Sequence, residues 1–162
     1  MPRTVIFGNS GSGKSTLAQK IAMQSSCAHL DLDTIAWQPN ADSPQRRDLD
    51  QSAKDIHAFV RSYTHWVIEG CYSDLLDIAM QAADDIIFLN PGTEMCIANA
   101  KKRPWEPHKY SSPAAQNANL AMLIDWIKNY SQRTDVFSYR AHRALFTTFA
   151  GRKREILSFS YD

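Results

Sequence analysis

Gly8-Asn9-Ser10-Gly11-Ser12-Gly13-Lys14-Ser15-Thr16 is the stretch on which the fold of this chain turns. A β-run, Arg3-Thr-Val-Ile-Phe7, leads into it, and Leu17, Ala18, Ile21 and Ala22 follow at helical spacing. Gly8, then Gly13-Lys14-Ser15, is the phosphate-loop pattern, and a strand before it and a helix after it are the context that gives it meaning. The glycines allow the chain to wrap a phosphate with successive N–H groups pointing inward. The helix N-terminus adds its positive end. Lys14 is suited to the β- and γ-phosphates, and the Ser15 hydroxyl to Mg²⁺. All nine residues are therefore candidate nucleotide-binding residues, and a nucleoside triphosphate or something very like one, with Mg²⁺, is the expected ligand.

Downstream, strands and helices alternate. Cys27-Ala-His-Leu-Asp-Leu-Asp33 reads as a short strand with leucines on one side and aspartates on the other. A polar stretch with Pro39 and Pro44 precedes a helix near residues 46–62. His65–Gly70 reads as a strand, 73–82 as a helix, Asp84–Asn90 as a strand stopped by Pro91-Gly92, and 93–102 as a helix. Three prolines in Arg103–Pro113 exclude regular structure there. Ser112-Pro113 fits an N-cap and first helical residue, with Leu120, Leu123, Ile124 and Ile127 as the stripe behind it. Ser138 fits a second cap, before a helix bearing Leu145, Phe146 and Phe149, with Gly151 past its end. A last strand is expected over about Arg154–Phe159. Strands alternating with helices predict a parallel sheet covered on both faces, a three-layer α/β/α domain.

The chain has 162 residues, enough for one domain over 1–162 with one core. Its longest run of aliphatic and aromatic residues, Ile86–Leu89, is too short to span a membrane. Structured sequence from about residue 3 leaves no room for a signal peptide, and Cys27, Cys71 and Cys96 are too scattered for a disulfide or zinc framework. Buried thiols and a cytoplasmic protein are expected. The net charge of +1 conceals a split, −5 over residues 1–98 and +6 over 99–162. Either the back third supplies cations to an anion held by the front, or these are solvated helix faces.

Asp31 and Asp33 lie two apart on the predicted strand, so both point the same way at its C-terminal end, where open α/β sheets bind ligands. The plainer alternative is a carboxylate capping the next turn. Glu69 ends a hydrophobic strand, where a carboxylate is costly to bury without a partner. It is either functional or paired to a core-edge cation.

Val5–Thr16, Leu30–Asp33, Trp66–Gly70 and Arg103–Tyr110 together resemble the small P-loop kinases of the adenylate kinase and shikimate kinase group, over nearly the whole chain. More narrowly they look like a branch often labelled adenylate-kinase-like or topology-modulation proteins. The resemblance implies a five-stranded parallel sheet in the order 2-3-1-4-5, an acceptor-binding region over about 34–64, and a lid over about 103–115. It also implies a P-loop kinase, a phosphotransferase moving a phosphoryl group from ATP to a hydroxyl or phosphate of a small metabolite, such as a nucleoside or nucleotide. Asp31 would serve the Mg²⁺ shell with Ser15, and Asp33 would hold or deprotonate the acceptor hydroxyl. Glu69 matches a position that carries a general base in some deoxynucleoside kinases and a metal-directed acid in other P-loop proteins, so Asp33 and Glu69 compete for the base role.

On the acceptor side the resemblance points to Trp37, Arg46, Gly70 and Tyr72. In the lid it points to Arg103, and beyond the lid to one of Arg133, Arg140 and Arg143, with Arg133 preferred. Asn99 stands where the usual pattern has an earlier arginine. Glu69-Gly-Cys-Tyr72 departs from both the adenylate and the shikimate kinase patterns, so neither acceptor is expected. The sequence runs out just after the last strand, where relatives add to the adenine pocket, so base recognition should be built differently. A monomer or weak homodimer is expected. The alternative is a nucleic-acid-associated regulatory ATP-binding protein without kinase activity. Its support is the basic back third alone, since no helix-turn-helix, basic stripe or RNA-binding motif is present.

Overall fold

The computed structural model describes residues 2–39 and 43–158. Five strands, β1 (Arg3–Gly8), β2 (Ala28–Asp31), β3 (Trp66–Gly70), β4 (Asp85–Leu89) and β5 (Arg152–Ile156), form an all-parallel sheet in the order β2-β3-β1-β4-β5. The helices are α1 (Lys14–Ser25), α2 (Asp33–Ala36), α3 (Leu49–Ser62), α4 (Ser73–Met80), α5 (Thr93–Lys102), α6 (Pro113–Lys128) and α7 (Tyr139–Thr148). They lie on both faces of the sheet, the three-layer arrangement and strand order expected.

The period of two along β1 divides the core. Val5 and Phe7 join Trp66, Ile68, Ile86 and Phe88 on the face covered by α3, α4 and α7. Ile6 joins Val67, Ile87 and Leu89 on the other face, where α1 lays Leu17, Ala18 and Ile21. β1, β3 and β4 are buried on both faces, which is why they read as continuous apolar runs. A third cluster, Cys96, Ala100 and Ile127, packs α5 against α6 as an arm above the sheet. Cys96 is buried, whereas Cys27 and Cys71 are half-buried, so the expectation of buried thiols holds fully for one of the three.

Both predicted caps are present. Ser112 accepts from the N–H of Ala115 with Pro113 in the first turn, and Ser138 accepts from the N–H of Ala141. Three boundaries differ. The helix near 46–62 begins at Leu49, because Asp48 caps it from outside. β2 ends at Asp31, and Asp33 opens the short helix α2, because Thr34 donates its hydroxyl to the carbonyl of Asp31 and closes a turn. β5 begins at Arg152 and ends at Ile156, and the predicted end at Phe159 lies outside the described residues. Arg152, Lys153 and Arg154 face solvent on this edge strand, where charge discourages pairing with other chains. Among the described residues, no helix is long and apolar enough to cross a membrane.

Candidate functional site

The loop after β1 is held from behind. Gly8 is pressed so closely on β4 that a Cβ there would lie 2.2 Å from the carbonyl oxygen of Leu89. Gly11, at φ +78°, would bring a Cβ within 2.3 Å of the carbonyl oxygen of Cys96 in α5. Only glycine fits either place. Asn9 is buried and donates its side-chain N–H to the carbonyl of Ile127, while Asn99 donates to the carbonyl of Gly11. Asn99, where the resemblance led one to expect an arginine, thus pins the loop. Ser12 is buried, Ser10, Gly13 and Ser15 are half-buried, and Thr16 is exposed. The ammonium of Lys14 folds back to the carbonyl of Asn9 at 2.8 Å. Gly13 is the N-cap of α1, so the loop runs directly into the positive end of that helix, while the N–H of Ser12 closes on the carbonyl of Asn9.

Beside this cradle stands an acidic cleft. Asp31 ends β2 in register with Glu69 of β3, so the two carboxylates are neighbours. Asp31 Oδ1 accepts the backbone N–H of Asp33 at 2.9 Å, the capping role set beside the functional one above, and the same turn places Asp33 at the cleft. The prediction that both aspartates point alike along a strand is corrected, because Asp33 belongs to α2, yet the two remain adjacent. Burial, then the charges of Glu69 and Asp33, pushes the Asp31 carboxyl up to about 6. Burial works to raise Asp33 too, but the Lys109 ammonium, the Tyr72 hydroxyl and the charge of Lys14 together hold it below the usual carboxylate range. Lys14 acting on Asp33 means that the phosphate cradle and the acids share one electrostatic field. Glu69 is buried, at 2% exposure, with His29 Nε2 at 3.3 Å from its Oε2.

A hydrogen-bonded row runs away from Asp33. The Trp37 indole N–H donates to the Tyr72 hydroxyl at 2.9 Å, and that hydroxyl donates to Asp33 Oδ1. Trp37 pairs with Arg46 across an antiparallel bridge. The Arg46 guanidinium lies over the Tyr72 ring at 5.0 Å and donates to both oxygens of Asp74, leaving its buried Nε–H without a partner. Arg47 is tied to Asp55 and to the carbonyl of Ile35. Gly70 is buried, and a Cβ there would lie 2.9 Å from the Leu32 side chain, so packing fills the space beside it.

Of the arginines beyond the lid, Arg143 is spent on a bidentate pair with Glu155 (2.9 and 2.6 Å) and Arg140 is exposed. Arg133 stacks on Trp126 at 3.6 Å and keeps Nε and Nη2 free of hydrogen bonds. Nε lies 3.5 Å from Asp135, an ion-pair contact rather than a hydrogen bond.

The segment expected to form the lid carries its own ion pairs. Arg103 pairs within the lid, to Glu106 at 3.3 Å. Lys109, expected with Arg103 and Arg133 to be among the back-third cations that serve phosphates, reaches Asp33 Oδ2 at 2.6 Å and Asp31 Oδ2 at 3.8 Å. The Glu106–Lys109 turn signal is local, but its reach to residue 33 is not. The same segment is fixed to α6, since Gln116 accepts the N–H of Glu106 and donates to the carbonyl of Pro104. His142, which showed no partner pattern in the sequence, is a structural residue. It is fully buried and its Nε2 donates to the carbonyl of Cys71, the residue before Tyr72, so Nδ1 accepts from the Tyr130 hydroxyl.

A protein family described as AAA domain matches residues 4–111, which run from β1 through the lid turn. The chain belongs to this AAA-domain family. No curated protein matches it. Among solved structures, this AAA-domain chain is similar to a shikimate kinase from Bacteroides thetaiotaomicron, at 18% identity and TM-score 0.57, covering 100% of this chain and 90% of the other. It is similar also to a sugar kinase from Janibacter sp. HTCC2649, at 14% identity and TM-score 0.52, covering 95% and 83%. At such identities the likeness is one of fold, the fold of the small P-loop kinases.

The AAA-domain cradle and cleft suit Mg²⁺ in their donors. The Ser15 hydroxyl and the carboxylates of Asp31 and Glu69 are hard oxygen ligands. Among the described residues no group of three or more His, Cys, Asp or Glu side chains forms that could hold a metal ion.

Proposed function

We propose that this protein is an ATP- and Mg²⁺-dependent kinase that phosphorylates a hydroxyl group of a small polar metabolite. The observation that carries this reading is Asp33. It is a carboxylate kept ionised by Lys109 and Tyr72, set in the field of Lys14 at the mouth of the acceptor segment. Phosphoryl transfer asks for positioning and charge neutralisation more than for covalent chemistry.

Each residue then has a part. The loop amides of Gly8–Thr16 and Lys14 hold the β- and γ-phosphates. Mg²⁺, when bound, neutralises the charge between those phosphates, with Ser15 and Asp31 as its protein ligands and Glu69 behind Asp31. Asp33 accepts a hydrogen bond from the acceptor hydroxyl and orients it. Its lowered proton affinity makes it an orienting group more than a strong base. Tyr72 and Trp37 hold Asp33 in place. The unpartnered N–H groups of Arg46 and Arg133 are donors for an anionic group on the acceptor.

The test is a panel of sugars, sugar acids, nucleosides and nucleotides incubated with ATP. One acceptor should raise ATP consumption well above the water background, and Asp33→Ala should abolish that rise. If no acceptor exceeded water, or Asp33→Ala left turnover unchanged, the kinase reading would be wrong.

A further inference from the structure

Lys109 sits where a cation is wanted, yet it comes from the lid. Its ammonium lies 2.6 Å from Asp33, 3.8 Å from Asp31 and 3.3 Å from Glu106. Lys109 is 22%, Asp31 15% and Asp33 32% exposed, so the contacts are partly shielded from water and salt. Among the described residues, Lys109 makes the only ion pairs between the lid and these two aspartates. The lid does not reach them by loose wandering. A turn closes with the N–H groups of Lys109 and Tyr110 on the carbonyl of Glu106. Gln116 holds the backbone at Pro104 and Glu106, and Asn119 holds the Tyr110 hydroxyl.

We propose that Lys109 is a resident counter-cation of the acidic pair, a positioning residue that holds Asp31 and Asp33 together in the empty site and is displaced when a divalent cation enters with the nucleotide. The inference rests on the kinase reading above. Its physical basis is competition for oxygens. Asp31 stands beside Asp33 and in register with Glu69, so without a cation three like charges would repel at short range. Lys109 supplies one positive charge, and a divalent cation supplies two. A divalent cation on Asp31 would repel an ammonium 3.8 Å from that carboxylate, so metal entry and release of the lid contact are a single exchange. By linkage, whatever favours the lysine contact weakens metal binding, and the reverse holds equally. The position of Arg103 accords with this, since its guanidinium is engaged with Glu106 and is not available to the aspartates.

The test measures binding rather than turnover. Mg²⁺ is titrated into the whole protein with ADP present, and ADP binding is followed by calorimetry. Lys109→Met should lower the half-saturating Mg²⁺ concentration about fivefold or more, and Lys109→Arg should bring it back towards the wild-type value. An unchanged or higher Mg²⁺ requirement in Lys109→Met would overturn the proposal, because it would place Lys109 on the phosphates or on the surface instead. In metal-free protein, chymotrypsin should cut at Trp105 or Tyr110 faster in Lys109→Met than in wild type, and equal rates would count against the contact holding the lid. If wild-type protein bound no ADP at any Mg²⁺ concentration, the kinase reading would fall and this proposal with it. If ADP bound with the same Mg²⁺ dependence in all variants, this proposal alone would fall.

Discussion

Both oxygens of Asp33 are occupied, Oδ1 by the Tyr72 hydroxyl and Oδ2 by the Lys109 ammonium. A carboxylate so saturated is rigid and ionised, which suits aiming a hydroxyl better than capturing its proton. Tyr72 is 2% exposed, and burial, with Cys71 and Asp33 nearby, pushes its hydroxyl well above the usual range, so it stays a donor at any working pH. Tyr72→Phe removes one hydrogen bond to a charged group, an interaction of about 1.5–3 kcal/mol. The variant should fold normally, by circular dichroism, yet turn over about ten- to a hundredfold more slowly. An unchanged kcat would separate Tyr72 from the site. Glu69 has a plainer residue-scale role, since its charge acts on Asp31 through register and it leans on His29.

The P-loop and its supports behave as one element. Gly11→Ala would set a methyl group 2.3 Å from the carbonyl of Cys96 at a left-handed φ, so loop and α5 must separate. ATP binding, measured by equilibrium titration, should be lost in this variant. The same titration should be nearly unaffected by Ser138→Ala, which removes the α7 cap and should cost about 1 kcal/mol in urea unfolding. A loss of ATP binding in Ser138→Ala would mean that α7 is coupled to the loop. The caps at Ser112 and Ser138 were legible because capping is local chemistry within three residues. So was the loop, where spacing alone carries the geometry. α2 was not legible. Leu30-Asp-Leu-Asp33 keeps strand alternation past the point where Thr34 closes a turn on Asp31, so pattern and hydrogen bonding disagree there. The start of β5 was obscured because an exposed edge strand written Arg-Lys-Arg carries no apolar signal. The Arg103–Glu106 pair is local, three residues apart, and Glu106 was not read as its partner. The contact of Lys109 with Asp31 and Asp33 could not be placed from spacing, because the aspartates are more than seventy residues away in sequence.

At the scale of the molecule, the charge split resolves into several uses rather than one. Lys109 serves the acidic cleft. Arg143 ties α7 to β5 through Glu155, and Arg152 approaches Asp85 of β4. Lys153 donates to the carbonyls of Phe146 and Thr147 at the end of α7, where a cation suits the helix terminus. The buried His142 joins the layers, its ring edge-on to Phe7 and Phe88 of the sheet. Burial lowers its pKa from 6.5 to about 4. The folded state therefore refuses a proton that the unfolded chain accepts, so the stability present above pH 6.5 is lost as pH falls towards 4, by up to about 3 kcal/mol. Urea unfolding at pH 7 and pH 5 should show a smaller pH dependence in His142→Gln than in wild type. Equal pH dependence would mean that His142 is not the group responsible.

The central claim is transfer of a phosphoryl group to a small molecule, and it can be tested without guessing the acceptor. The protein is incubated with γ-labelled ATP, Mg²⁺ and a filtered extract of small metabolites, and the labelled products are separated. The account predicts label in one phosphorylated small molecule, absent when Lys14→Ala replaces the wild type. Label appearing only as inorganic phosphate, at the same rate with and without the extract, would contradict it.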